Sequence, residues 1–68
     1  MLEVIENNNG KNYYVICESG RYAVLEKTNS LQWVVTYWIT KDRNEWCEGS
    51  YFSTLTDALN YYRSKVNV

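Results

Sequence analysis

Five runs of alternating apolar and polar residues are joined by connections of six residues or fewer, which restricts this chain to one kind of sheet. Parallel strands need a crossover of a dozen or more residues, usually a helix. None of these connections is long enough, so neighbouring runs must pair antiparallel. The runs are Leu2–Glu6, Tyr13–Glu18, Arg21–Lys27, Leu31–Lys41 and Glu45–Phe52. Between them stand Asn7-Asn8-Asn9-Gly10, Ser19-Gly20, Thr28-Asn29-Ser30 and Asp42-Arg43-Asn44. These are turn residues, and Asn-Gly is the strongest of them because both residues tolerate positive φ.

The period changes after Phe52. Leu55, Ala58, Leu59, Tyr62 and Val66 recur at helical spacing and form one apolar face. Thr54 and Asp57 have the spacing of a capping box, with Ser53 as the rival N-cap. Asp57 near the start and Arg63 and Lys65 near the end suit the helix dipole. The spacing predicts a helix within residues 54–66. The expected fold is therefore α+β: a five-stranded antiparallel β-meander, open or curled, with one C-terminal α-helix packed on one face. Residues 1–68 form a single small domain.

Register follows from the turns. A Ser19-Gly20 loop pairs Glu18 with Arg21, Ile16 with Ala23 and Tyr14 with Leu25. A three-residue loop at 28–30 sets Leu25 opposite Trp33 and Ala23 opposite Val35. A last hairpin pairing Ile39 with Cys47 lays Tyr37 over Gly49, filling the gap beside a strand glycine. One face then collects Ile5, Tyr14, Ile16, Ala23, Leu25, Leu31, Trp33, Val35, Tyr37, Ile39 and Tyr51. The other collects Val4, Tyr13, Val15, Tyr22, Val24, Val34, Trp38, Trp46 and Phe52, diluted by Glu26, Thr36, Thr40 and Glu48. The first is the expected core. A one-residue slip would exchange faces locally.

Composition narrows the functions. There is no His, and the two cysteines, Cys17 and Cys47, are thirty positions apart. Metal sites of the zinc type need four grouped Cys/His ligands, so no metal or cofactor is expected, and the two thiols read as reduced. Without His the usual general base is missing. The glycines are isolated and form no phosphate loop. Glu45 and Glu48 read as a solvated face, not an acid/base pair. No catalytic residues are expected.

No apolar stretch approaches the ~20 residues that span a bilayer, and the N-terminus lacks a signal pattern; the expected location is cytoplasmic. Seven basic residues against eight acidic ones give a net charge of −1, which disfavours strong phosphate-driven nucleic-acid binding.

Eleven of the 68 residues are aromatic, among them three Trp and seven Tyr. A chain this short buries only about 60% of its unfolded surface, and one helix covers one sheet face. Either the sheet curls and uses both faces, or the second face meets something else. The expected function is a small non-enzymatic protein-interaction module, binding a protein partner or forming a homodimer. Trp38 and Trp46 are the expected anchors, surrounded by Tyr13, Tyr22, Val34 and Phe52. The alternative is single-stranded nucleic-acid binding, with bases stacked on the same rings. Eight Asn and no Pro suggest an AT-rich genome, which suits a small phage or mobile-element protein acting on a host factor. The segment from Tyr51 to Tyr62 resembles a strand, cap and helix pattern of many small proteins of Gram-positive bacteria and their phages. That pattern implies no activity.

Overall fold

The computed structural model describes residues 2–7, 9–38 and 45–66, with Cys47 and Glu48 described by backbone alone. Ile39, Thr40, Lys41 and the Asp42-Arg43-Asn44 turn lie outside the described residues. Strands β1 (Val4–Glu6), β2 (Asn12–Ser19), β3 (Tyr22–Lys27), β4 (Trp33–Trp38) and β5 (Trp46–Phe52) pair antiparallel in chain order, and helix α1 (Leu55–Val66) follows. This is the expected meander with its C-terminal helix. Helix α1 begins where the capping signal places it, with the Asp57 amide donating to Thr54 Oγ1 at 3.2 Å. It packs across β3, β4 and β5.

The register differs from the expectation at every hairpin from β2 to β5, each time for a local reason. Gly20, at φ 59°, takes the first position of a Gly20-Arg21 loop, and Ser19 pairs with Tyr22. Glycine-led two-residue loops place the glycine there. The β3–β4 loop takes Leu31 as a fourth residue, closed by Lys27 N–H donating to Gln32 O at 3.0 Å. Leu25 therefore faces Val34, and Ala23 faces Thr36.

The four-residue loop shifts the β3–β4 pairing by one place and so inverts β3 relative to β4, whereas the Gly20-Arg21 loop shifts the β2–β3 pairing by two and by itself leaves the faces unchanged. Ala23 and Leu25 leave the face of Trp33 and Val35, while Tyr22 and Val24 join it. Two irregularities complete the change. An extra residue in β2, Ile16, puts Ile16 and Cys17 on the same side, under the helix. In β5 an extra residue lies between the Val35–Ser50 and Tyr37–Cys47 pairs, and Tyr37 stands opposite Cys47 rather than Gly49. The gap beside Gly49 is filled by Trp46, whose Cδ1 and Nε1 lie 3.7 Å from the point a Cβ would occupy.

Each side of the sheet thus mixes members of both expected sets, and each carries a buried core. Beneath α1, Val24, Val35, Ala58 and Tyr62 form one core, flanked by Tyr22, Trp33 and Phe52. On the other side Tyr13, Ala23, Leu25, Val34 and Trp38 form a second, flanked by Ile5, Val15 and Trp46. Among the described residues no helix covers that second core; the sheet curls over it. Strands β2 and β5 are three places apart, about 14 Å in a flat sheet at ~4.8 Å per strand. Yet the rings of Tyr13 on β2 and Trp46 on β5 meet edge to face with centroids 5.1 Å apart.

Candidate functional site

The six residues expected to form one binding face divide between the two cores. Tyr13, Val34, Trp38 and Trp46 come together on the curled side, whereas Tyr22 and Phe52 lie under or beside the helix. The inversion of β3 moves Tyr22, and the β4–β5 register moves Phe52. Nor is the group on the curled side an open surface. Tyr13 is 3% exposed, Val34 0% and Trp38 4%, and only Trp46 is partly accessible. Trp38 stacks edge to face on Trp46 at 5.7 Å. Its indole N–H reaches over the strand carrying Ala23 and donates to Glu18 Oε2 on β2 at 2.6 Å. Ala23, with a single methyl, leaves room for that crossing. Neither Tyr13 nor Trp38 presents a ring face on which a base could stack.

Burial also governs the acids nearby. The Tyr13 hydroxyl is pushed above its ordinary range, first by loss of solvent and then by the neighbouring Tyr51 hydroxyl. Under the helix, the Tyr62 hydroxyl is hydrogen-bonded to Ser19 and to the thiol of Cys17, a free cysteine. Burial raises the Cys17 thiol most; Tyr62, the Val24 backbone and Arg63 pull it partly back. A thiol held neutral in this way is a poor nucleophile. Thr36 Oγ1 and Trp33 Nε1 are buried, and neither finds a hydrogen-bond partner among the described residues. No group of three His, Cys, Asp or Glu side chains able to hold a metal ion occurs among the described residues.

The accessible apolar surface lies elsewhere. Leu31 is 79% exposed and Tyr51 54%. Together with Phe52 they line an open hollow of about 530 Å³ at one end of the sheet, completed by Ser30, Gln32 and Ser53. The register explains the meeting: Trp33 pairs with Phe52 and Val34 with Tyr51, so the β3–β4 loop ends beside the last residues of β5. Among the described residues, Leu2 and Val4 are the other exposed large apolar residues, and they belong to the opposite, three-residue edge strand or the segment before it. Sequence reasoning missed Leu31 by assigning it to the start of β4. The signal was there, in one large apolar residue within the polar run Thr28-Asn29-Ser30-Leu31-Gln32.

No helix among the described residues is long and apolar enough to cross a membrane. The chain matches no protein-family model, no curated protein and no solved structure.

Proposed function

We propose that this chain is a non-enzymatic protein-interaction module that holds a segment of a partner protein in the hollow lined by Leu31, Tyr51 and Phe52. The observation that carries the reading is the contrast in burial. A chain that draws Trp38 down to 4% exposure leaves Leu31 at 79% and Tyr51 at 54% beside one another. Paired large apolar side chains at the mouth of a concavity are a usual form of binding surface. Tyrosine adds contact area at low entropic cost and carries a polar tip. The site expected from sequence, around Trp38 and Trp46, serves the interior instead, and the interaction role passes to this hollow.

The test is a peptide-display selection on the immobilised protein, with a Leu31→Ala/Tyr51→Ala double variant as counter-target. Both side chains are solvent-exposed, so the variant keeps the wild-type far-UV circular dichroism and urea midpoint. Selected peptides are expected to bind the variant at least about tenfold more weakly, equivalent to roughly 1.4 kcal/mol. Amide shifts on binding should centre on residues 30–32 and 51–53. Selected peptides that bind the variant as well as the wild type would refute the assignment.

A further inference from the structure

The loop that carries Leu31 borders a second hollow on its other side. Ser30, Leu31 and Gln32 line the apolar one, while Thr28 and Asn29 line a polar one of about 270 Å³. Strand pairing builds it. Because β2 pairs with both β1 and β3, the β1–β2 turn and the end of β3 stand side by side, and Lys11, Asn12 and Lys27 converge.

The walls are fixed. Asn7 Oδ1 accepts the amides of Asn9 and Lys11, each at 2.9 Å. The Thr28 amide and Oγ1 donate to Asn12 O at 3.4 and 3.3 Å. Gly10, at φ 78°, adds a wall without a side chain. The lining residues include two lysines, two asparagines and a threonine, and no acidic residue. Glu6 stands at its rim, with Oε2 3.9 Å from where a Cβ on Gly10 would be.

We infer that this polar hollow is an anion subsite, and that the partner segment docked beside Leu31 and Tyr51 carries an acidic residue that enters it. The inference rests on the docking reading above and names the chemistry of the segment. Two like charges lining one cleft repel each other, and a bound carboxylate relieves that repulsion while accepting from the side-chain amides of Asn12 and Asn29. The reach is suitable. Lys27 on β3 and Phe52 on β5 are two strands apart, about 10 Å. Three extended residues at ~3.3 Å each cover that distance. The matching segment therefore has an apolar side chain with Asp or Glu three or four residues away.

Two octapeptide pools test this, each with one Leu or Phe anchor in a Gly/Ser/Thr background. One pool carries Asp or Glu three or four residues from the anchor; the other carries Asn or Gln there. Binding is read as saturable amide shifts at matched ionic strength. The acidic pool is expected to bind wild type about three- to tenfold more tightly, as one or two exposed charge contacts allow. That preference should vanish in Lys11→Gln/Lys27→Gln, shrink with added salt and widen in Glu6→Gln. Equal binding of the two pools at the Leu31–Tyr51 hollow would overturn the anion subsite and leave the docking reading standing. A preference that survives in the lysine variant would also overturn it. Failure of both pools to bind would remove both readings.

Discussion

Replacing Trp38 tests whether its indole serves the interior or a partner. The ring is 4% exposed, stacks on Trp46 at 5.7 Å and donates to Glu18 at 2.6 Å. Truncating a buried Trp to Ala costs about 3–5 kcal/mol through lost transfer energy and the cavity left behind. At roughly 0.05–0.15 kcal/mol per residue, a chain of this length has only about 3–10 kcal/mol in total. Trp38→Ala should therefore remove most or all of the stability. Trp38→Phe keeps an aromatic ring against Trp46 but loses the bond to Glu18 and some volume, for about 1–2 kcal/mol. Glu18→Ala should cost less, because Glu18 is exposed and its deletion leaves the Trp38 ring packed in place. Urea titration followed by far-UV circular dichroism reads all three. With a slope near 1 kcal/mol/M, Trp38→Phe should lower the midpoint by about 1–2 M, and Trp38→Ala should show little or no folded baseline. In a double-mutant cycle, Trp38→Phe and Glu18→Ala should couple by about 0.5–1 kcal/mol. If Trp38→Ala stayed within about 1 kcal/mol of wild type, the indole could not be part of a closed core, and the argument for a curled sheet would collapse.

Thr36 is fully buried with its hydroxyl unpaired among the described residues. Thr36→Val should therefore be neutral or stabilising by up to about 1 kcal/mol, because the isosteric methyl removes an uncompensated polar group; a clearly lower urea midpoint would mean that the hydroxyl has a partner. Burial raises the Cys17 thiol above its ordinary 9.0 and the Tyr13 and Tyr62 hydroxyls above 10.0. These acids ionise more readily unfolded than folded, so the stability they contribute is complete below about pH 9 and drains away as pH rises toward the folded values. Urea midpoints should fall from pH 8 to 10.5, less steeply in Cys17→Ser; a flat profile would contradict the burial of these groups. Because the aromatic face is used within one chain, light scattering over a hundredfold concentration range should give the monomer mass of 8.1 kDa throughout. A concentration-dependent doubling would show that a second copy covers surface assigned here to solvent or to a partner.

The fold was readable because its strongest signals are local. Short turns forced antiparallel pairing, and the Thr54 cap with the spacing of Leu55, Ala58, Leu59 and Tyr62 marked the helix to within a residue. Register was not readable at that level. Whether β2 carries an extra residue at Ile16, and whether Leu31 belongs to a loop or a strand, each turns on one residue. With side chains alternating at period two, each such choice exchanges faces. The grouping of Tyr13, Val34, Trp38 and Trp46 on one side was legible because β2 and β4 keep their relative phase when β3 inverts. Their burial was not, since curling depends on ring contacts between distant strands. For the same reason the Leu31–Tyr51 hollow was invisible: it exists only where a loop meets the far end of β5.

The contact between Tyr13 and Trp46 joins residues 33 positions apart, whereas every strand pair in the sheet is formed by neighbours along the chain. Hairpins of this kind form locally within microseconds, and the entropy of longer loops is spent only when distant segments meet. Closure of the sheet over its second core should thus be a late event, after the meander has zipped. Side chains that bond only at closure govern how fast the native state is lost and have little influence on how fast it is reached. Tyr13→Leu, which removes the ring that meets Trp46 only at closure, should accelerate unfolding more than it slows refolding. The aromatic density of this small chain then acts largely as a kinetic latch, lengthening the life of a native state whose thermodynamic margin is narrow.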